Sequence, residues 1–307
     1  MIKKNISVEE LIAFFGNAVI SVEGPVINRY IDHLADVAHV DETTLDWVNT
    51  SNPNKQQIVE NSKALVVLTD AGVEYTEALK KSGKTLIIVD NPKMSLAKVG
   101  GHFFVKRPTP GIHPSAVIAP DAIIGEKVYV GPYTVIGKAV IGDECMIDSN
   151  VRIYDDVKMG KCCRIKAGTV IGGDGFGFEK DENGNKFRFP QIGRVIIGDD
   201  VEVGANTCID RGALSDTVIG DHTKINNLCH IAHNNKIGRN VTITGCVNIS
   251  GSNVIDDNVW IAPNATVRGY IHLGESCTLG MGAVATKDIP AGETWVGTPA
   301  RKMEKKQ

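Results

Sequence analysis

The chain has 307 residues, enough for two domains or for one solenoid with an attachment. A formal net charge of −3 and a pI of about 6.2 argue against nucleic acid as the main partner. No apolar run reaches the roughly 18 residues that a membrane span needs, and the first segment, MIKKNISVEEL, lacks the apolar core of a signal peptide, so a cytoplasmic protein is expected.

Residues 1–105 read as a small α/β domain. Ser7, Val8, Glu9 and Glu10 form a capping-box pattern ahead of a short helix over LIAFF. Residues 64–70 and 85–90 (ALVVLTD, TLIIVD) are apolar enough to be buried strands, and the GVEYTEALKKSGK segment between them predicts a helix ended by Gly83. Pro92–Val99 predicts another short helix. Three prolines within residues 106–114 mark the boundary to a second domain, 106–300.

From there a period of six takes over. Ile112, Ile118, Ile124, Val130 and Ile136 hold one frame. The next set, Ile141 to Ile171, starts one residue early, so one turn is shorter. Residues 172–195, rich in Gly, Asp, Asn and aromatics, break the pattern and predict a loop excursion of functional rather than decorative kind. Hexads resume at Ile197, Val203 and Ile209. A shorter interruption, RGALSDTV, precedes the longest run, in which Ile219 and every sixth residue to Ala285 are aliphatic. Such a period fits neither an α-helix nor a simple strand and marks a hexapeptide-repeat parallel β-helix. Three hexads make one triangular coil, so residues 18 apart lie about 4.8 Å apart along the axis. Four of the seven cysteines, Cys145, Cys163, Cys229 and Cys277, occupy the small inward place of a hexad and read as buried reduced thiols.

His230 and His233 stand in NNLCHIAHNN, among Asn226, Asn227, Asn234 and Asn235. A histidine on such a face can be merely packed or solvated, but the polar cluster and the coil arithmetic favour chemistry. One coil beyond His233 is Gly251, and one further is Gly269. A base beside an unobstructed backbone N–H is the geometry of acyl transfer: the imidazole takes the nucleophile's proton and the N–H binds the oxyanion. G-x-S-x-G is absent and no Ser-His-Asp, Cys-His or metal cluster is evident, so direct attack by the substrate is expected rather than an acyl-enzyme. GGDGFG follows a hexad instead of opening a helix and is not a dinucleotide fingerprint. A β-helix has few pockets of its own, so its sites are expected in grooves between neighbouring solenoids, and three subunits match a triangular section.

The stretch GGDGFGF…FPQIGRVIIGDDVEVGANTCIDRGALSDTVIG…KINNLCHIAHN resembles the UDP-3-O-(3-hydroxyacyl)glucosamine N-acyltransferases of lipid A biosynthesis, most closely from Ile171 to Asn234 and colinearly from residue 1. The resemblance implies a homotrimer of left-handed β-helices, a nucleotide-sugar acceptor held partly by the N-terminal domain, and an acyl carrier protein thioester as donor, with no permanently bound cofactor. It implies His233 as catalytic base and Gly251 as oxyanion donor. Asn226 stands where the family has an Asp that orients the imidazole, and Tyr270 where it has a second histidine. The uracil-binding segment falls at residues 47–54, giving Trp47 and Asn52, with Lys55 where an aromatic is expected. Asn227, Asn234 and Tyr270 are the further substrate-side candidates. The ending GMGAVATKDIPAGETWVGTPARK is similar instead to CoA-dependent hexapeptide acetyltransferases, which makes Gly269, Lys287 and Arg301 candidate donor-binding positions. Two alternatives follow: an N-acyltransferase that uses acyl-CoA on another nucleotide-linked amino sugar, or a non-catalytic trimeric sugar-nucleotide-binding scaffold. A bulky plug such as Trp260 or Tyr270 would limit the acyl chain to a short one. The basic tail, residues 301–307, reads as a solvated terminus or as an attractor for a carrier protein or CoA phosphates.

Overall fold

The computed structural model describes residues 4–303, so Lys305 and Lys306 of the basic tail lie outside the described residues. The chain divides into two compact units, residues 1–107 and 108–307.

In the first unit, Ser7 caps the helix Val8–Phe15. Its side chain accepts from the Glu10 N–H at 3.1 Å, and Glu10 reaches back to the Ser7 N–H. The apolar runs become the strands Val66–Thr69 and Thr85–Val89, which pair in parallel and continue to Leu45–Trp47. Val19–Glu23 closes the other edge antiparallel, giving one four-stranded sheet. The helix between the two central strands spans only Glu77–Lys81, capped by Thr76 and followed by Gly83 in the left-handed region, φ 66°. Pro92–Val99 is helical, with Asn91 accepting from the Met94 N–H.

In the second unit, strands of two to four residues stack into three sheets, of 11, 9 and 8 strands among the described residues, parallel except for the last strand of the largest. Each contributes one face of a triangular solenoid. The hexad aliphatics point into a continuous core, with Ile147, Ile231, Ile243 and Ile249 fully buried. Full burial of each stabilises the stack by about 1.5–3 kcal/mol. The inward cysteines Cys145, Cys163, Cys229 and Cys277 share that core, and all seven cysteines are free. Corners adopt left-handed backbone, which favours Asn: Asn234 has φ 62°, Asn240 φ 54° and Asn258 φ 61°.

The register confirms the coil arithmetic. Ile231 pairs with Ile249 and Ile249 with Val267, each partner standing three hexads further along the chain. Ile124 pairs with Ile141, one position short of three hexads, which is the shortened turn. Ile171 pairs with Ile209, so this coil is more than twice the regular length. The excess carries the 172–195 excursion, which includes a hairpin of Phe178–Lys180 with Lys186–Arg188. Ile209 pairs with Ile231, so the second interruption also lengthens its coil, though by much less. At the last coil Arg301–Lys302 folds back antiparallel on Thr294–Val296, partly covering the end that a solenoid must cap.

Candidate active site

The strand His230–Ile231 lies on the second face of the solenoid, and His233 and Asn234 form the corner that follows it. Register places Gly251, Gly269 and Lys287 below His233 in one column, because Ile231, Ile249, Val267 and Ala285 pair in succession. A ladder of buried amides holds this corner from inside. Asn235 donates to the Ala232 and Ser250 carbonyls and accepts from the Asn253 N–H at 3.0 Å. Asn253 repeats the pattern, donating to the Ser250 carbonyl and accepting from the Ile271 N–H. Both side chains have no solvent exposure, so each satisfied group spares the turn the cost of an unpaired buried amide.

Asn234 fixes the histidine ring. Its Nδ2 donates to the Ser215 carbonyl and hydroxyl, at 3.0 and 2.8 Å, and its Oδ1 accepts from the Ala213 N–H at 3.0 Å. These partners set the amide orientation, since a flipped amide would face a carbonyl with a carbonyl. The same Oδ1 lies 2.9 Å from His233 Nδ1. An oxygen without a hydrogen can only accept, so Nδ1 carries the proton and Nε2 presents its lone pair, as a general base requires.

The ring is enclosed from above and below by glycines. A methyl group on Gly251 would lie 2.6 Å from His233 Cε1 and 2.9 Å from Nε2. On the other side, a methyl group on Gly175 of the excursion would lie 2.8 Å from His233 Cβ and 2.9 Å from Cδ2. No acceptor among the described residues takes the Gly251 N–H, which leaves that donor available beside the ring.

The two interruptions are knitted together over this corner. The Ile192 and Gly193 N–H groups donate to the Ala213 and Gly212 carbonyls, and the Arg211 N–H to the Gly173 carbonyl. Arg194 holds Asp216 in a bidentate pair at 3.1 and 2.7 Å, and this guanidinium keeps the Asp216 carboxyl below the usual carboxylate range. On the adjoining face Asp210 Oδ2 meets His230 Nε2 at 3.0 Å. The hydrogen bond raises the His230 imidazole above its ordinary pKa against the opposing effect of partial burial.

The triangular β-solenoid has matching relatives among known proteins. Residues 138–173 match the family model described as bacterial transferase hexapeptide (six repeats). The chain is 41% identical over 219 residues to a UDP-3-O-acylglucosamine N-acyltransferase of Coxiella burnetii, covering 64% of each chain. It is 44% identical over 147 residues to the protein of that name from a Caulobacter species, covering 48% of this chain and 43% of the relative. The aligned segments thus span less than two thirds of either relative. Among solved structures, a UDP-N-acetylglucosamine O-acyltransferase from Moraxella catarrhalis superposes with a TM-score of 0.58 at 25% identity, over 62% of this chain and 73% of that one. The Francisella novicida UDP-N-acetylglucosamine acyltransferase gives 0.57 at 27%, over 62% and 68%.

The remaining sequence-based candidates distribute over four places. Asn226 and Asn227 do not join His233. They form the preceding corner, after the strand Lys224–Ile225 of the first face, where Asn226 Oδ1 accepts from the Asn227 N–H and Asn227 Oδ1 from the Ala205 N–H. The step from Asn226 to His233 crosses a whole face, so within the chain the imidazole is oriented by Asn234 and not by Asn226. Tyr270 extends the Asn234 corner two coils on, at φ 61° and 83% exposed. Lys287 ends the His233 column, whereas Arg301 lies on the first face beside Val296. In the first unit Trp47 and Asn52 line one cleft of about 480 Å³ with Asp46, Asn54 and Ile58. Sequence reading missed Gly175 and the Asp210–His230 pair. Only the length of the excursion signalled that its residues return to the histidine.

Proposed function

We propose that the chain is an N-acyltransferase that moves a 3-hydroxyacyl group from a carrier-protein thioester to the amine of a UDP-linked 3-O-acylglucosamine, a step of lipid A biosynthesis. The observation that carries this reading is the His233 ring, with Nδ1 tied to Asn234 and Nε2 against the open Gly251 backbone. The amine nitrogen attacks the thioester carbonyl carbon and a C–N bond forms. One amine proton passes to His233 Nε2, and the carbonyl oxygen becomes an oxyanion on the Gly251 N–H. Collapse breaks the C–S bond, and His233 returns the proton to the departing sulfur, leaving an amide and a thiol. The step draws on no resident cofactor.

The cleft at Trp47 and Asn52 suits the nucleotide base, with an indole to cover it and an amide to read its edge. A homotrimer supplies the second wall of the groove. Tyr133, Leu228 and Tyr270, all at corners and 69%, 59% and 83% exposed, are large side chains for such a neighbour to cover. Seven free cysteines accord with a reducing cytoplasm. Lys287 favours CoA as a second donor, since it lies three coils from His233, about 14 Å at one strand spacing per coil, where it could meet a donor phosphate.

The test is acyl transfer to UDP-linked 3-O-acylglucosamine from 3-hydroxyacyl carrier protein, with wild type beside His233→Ala. We expect loss of about 100-fold or more in the variant. Equal rates would remove His233 from the mechanism. A wild type that binds the nucleotide sugar but turns over with neither carrier-protein nor CoA thioesters would identify a scaffold instead.

A further inference from the structure

The first unit holds a second cleft, of about 710 Å³, built unlike the one at Trp47. Phe14, Met94, Ala97 and Val105 give it an apolar floor, and Lys98, His102 and Arg107 border that floor. Met94, Ala97, Lys98 and Gly101 follow the i, i+3, i+4, i+7 spacing of one helical face. It is the face turned from the core, since the helix Pro92–Val99 buries Pro92, Ser95 and Val99 instead. Met94 and Val105 are 53% and 58% exposed, so this apolar surface is uncovered among the described residues. The His102 ring is held from behind: it stacks on Phe14 with centroids 4.7 Å apart and meets Phe103 edge-on at 4.6 Å.

The charge around the cleft is one-sided. No Asp or Glu stands between Asp90 and Asp121, a stretch that holds Lys93, Lys98, Lys106 and Arg107, although the whole chain carries a net charge of −3. The side chains of Lys98, His102 and Arg107 have no hydrogen-bond or ion-pair partner among the described residues. A lone surface lysine is ordinarily just solvated, but here two fixed cations and an imidazole border one apolar hollow. The cleft at Trp47 is lined by Asn52, Asn54, Gln57, Asn61 and Ser62, which can read a hydrogen-bonding edge. The cleft at Phe14 is lined by no amide or hydroxyl side chain. A nucleobase there would leave its polar edge unmatched, whereas an apolar body with an anionic head matches both parts of the lining.

We infer that this cleft binds a single-chain anionic amphiphile, an alkyl or acyl chain with a phosphate or carboxylate head. The chain lies on Phe14, Met94, Ala97 and Val105, and the head meets Lys98 and Arg107. The volume is within the range of about 300–1,000 Å³ for small-molecule sites, and a concave shape suits one molecule better than the face of a bilayer. The inference stands independently of the acyltransfer reading.

The experiment is calorimetric titration of the full chain with monomeric dodecyl phosphate. Wild type is compared with the double variant Lys98→Gln, Arg107→Gln and with Gly101→Leu, each checked for folding by thermal melts. Gly101 is the place for a plug, because a methyl group there meets nothing within 4 Å. Dodecyl phosphate is expected to bind wild type and to bind either variant about 10-fold or more weakly. Inorganic phosphate should bind wild type about 100-fold or more weakly than dodecyl phosphate, since it lacks the chain. Absence of binding by wild type overturns the inference. So does unchanged binding in either variant, which would place the amphiphile elsewhere, the groove at His233 included. Inorganic phosphate that binds as tightly as dodecyl phosphate overturns it by removing the chain's part. Wild type that binds phosphatidylglycerol vesicles but not the monomer would mark a membrane-facing patch instead. No binding together with a smaller oligomer for Gly101→Leu in sedimentation would mark a surface covered by a second copy of the chain. None of these outcomes bears on His233-dependent transfer.

Discussion

The regular coils from Ile219 to Ala285 and the interruptions at 172–195 and 211–216 are built on opposite rules. In the coils an aliphatic recurs at every sixth residue and points inward, each residue sits over its equivalent three hexads away, and local hydrogen bonds repeat from corner to corner. In the interruptions nothing repeats. Glycines allow close approach, one guanidinium–carboxylate pair joins the two loops, and a buried glutamine oxygen goes without a partner. The coils supply His233 and Gly251 at a fixed spacing. The interruptions supply what orients and encloses them: Ser215 and Ala213 through Asn234, and Gly175 against the ring. A solenoid wall alone is a flat surface; it becomes a site where the repeat is broken above one corner.

Alanine at two glycines sharpens this contrast most. At Gly251 the added methyl group meets the imidazole, and turnover is expected to fall by about 10²–10³-fold while the fold persists, because the proposed base and oxyanion donor are forced apart. At Gly245, a corner of the regular stack, a methyl group meets nothing nearer than 3.7 Å, and both rate and melting temperature should hold. Equal loss at both sites would break the distinction. Next in size is Asn235→Val, which strips the amide ladder beneath the corner and leaves the Asn253 N–H unpaired. A destabilisation of about 1–3 kcal/mol in denaturant unfolding is expected, with activity falling in step. Asn234→Ala should lower kcat by about 10-fold or more with little change in KM, because the ring loses the partner that holds its proton on Nδ1. A rise in KM alone would assign Asn234 to substrate binding.

The smallest effect concerns Asp210→Asn. Asp210 raises the folded-state pKa of His230, so the pair stabilises the fold while His230 is protonated. That contribution is fully present below the unfolded histidine pKa, about 6.5, and is lost as pH rises through the raised folded value. The His230 side chain is 44% exposed, so solvent screening keeps the contribution below about 1 kcal/mol. Melting temperatures of wild type and variant should differ at about pH 5 and converge at about pH 9. A gap that widens with pH would contradict the assignment.

The sequence made the solenoid legible because an inward aliphatic has to recur at every corner interval, and it made the His233–Gly251–Gly269 column legible because three hexads return the chain to the same edge. It did not reveal which groups complete the site. Gly175 reaches His233 through an excursion whose contacts have no period. Asp210 and His230 meet across a coil lengthened by the second interruption, where counting by hexads fails. Asn226 looks close to His233 because the two are near in the chain, yet in this fold the step between them crosses one face of the triangle. In the first domain, the strands and the capped helix followed from apolar runs and the Ser7–Glu10 pattern. The cleft around Trp47 and Asn52 depends instead on distant residues such as Val37 and Lys63, which no local pattern links.

The most direct test of the account is the tautomer of His233, read by nitrogen-15 NMR of histidine-labelled protein at about pH 9, where histidine side chains are neutral. The His233 signals are assigned by their loss in His233→Ala. The account predicts a protonated Nδ1 and a bare Nε2 in wild type, with that preference lost in Asn234→Ala. A wild-type ring protonated on Nε2 would contradict it, because the atom facing Gly251 would then be a donor and not the base.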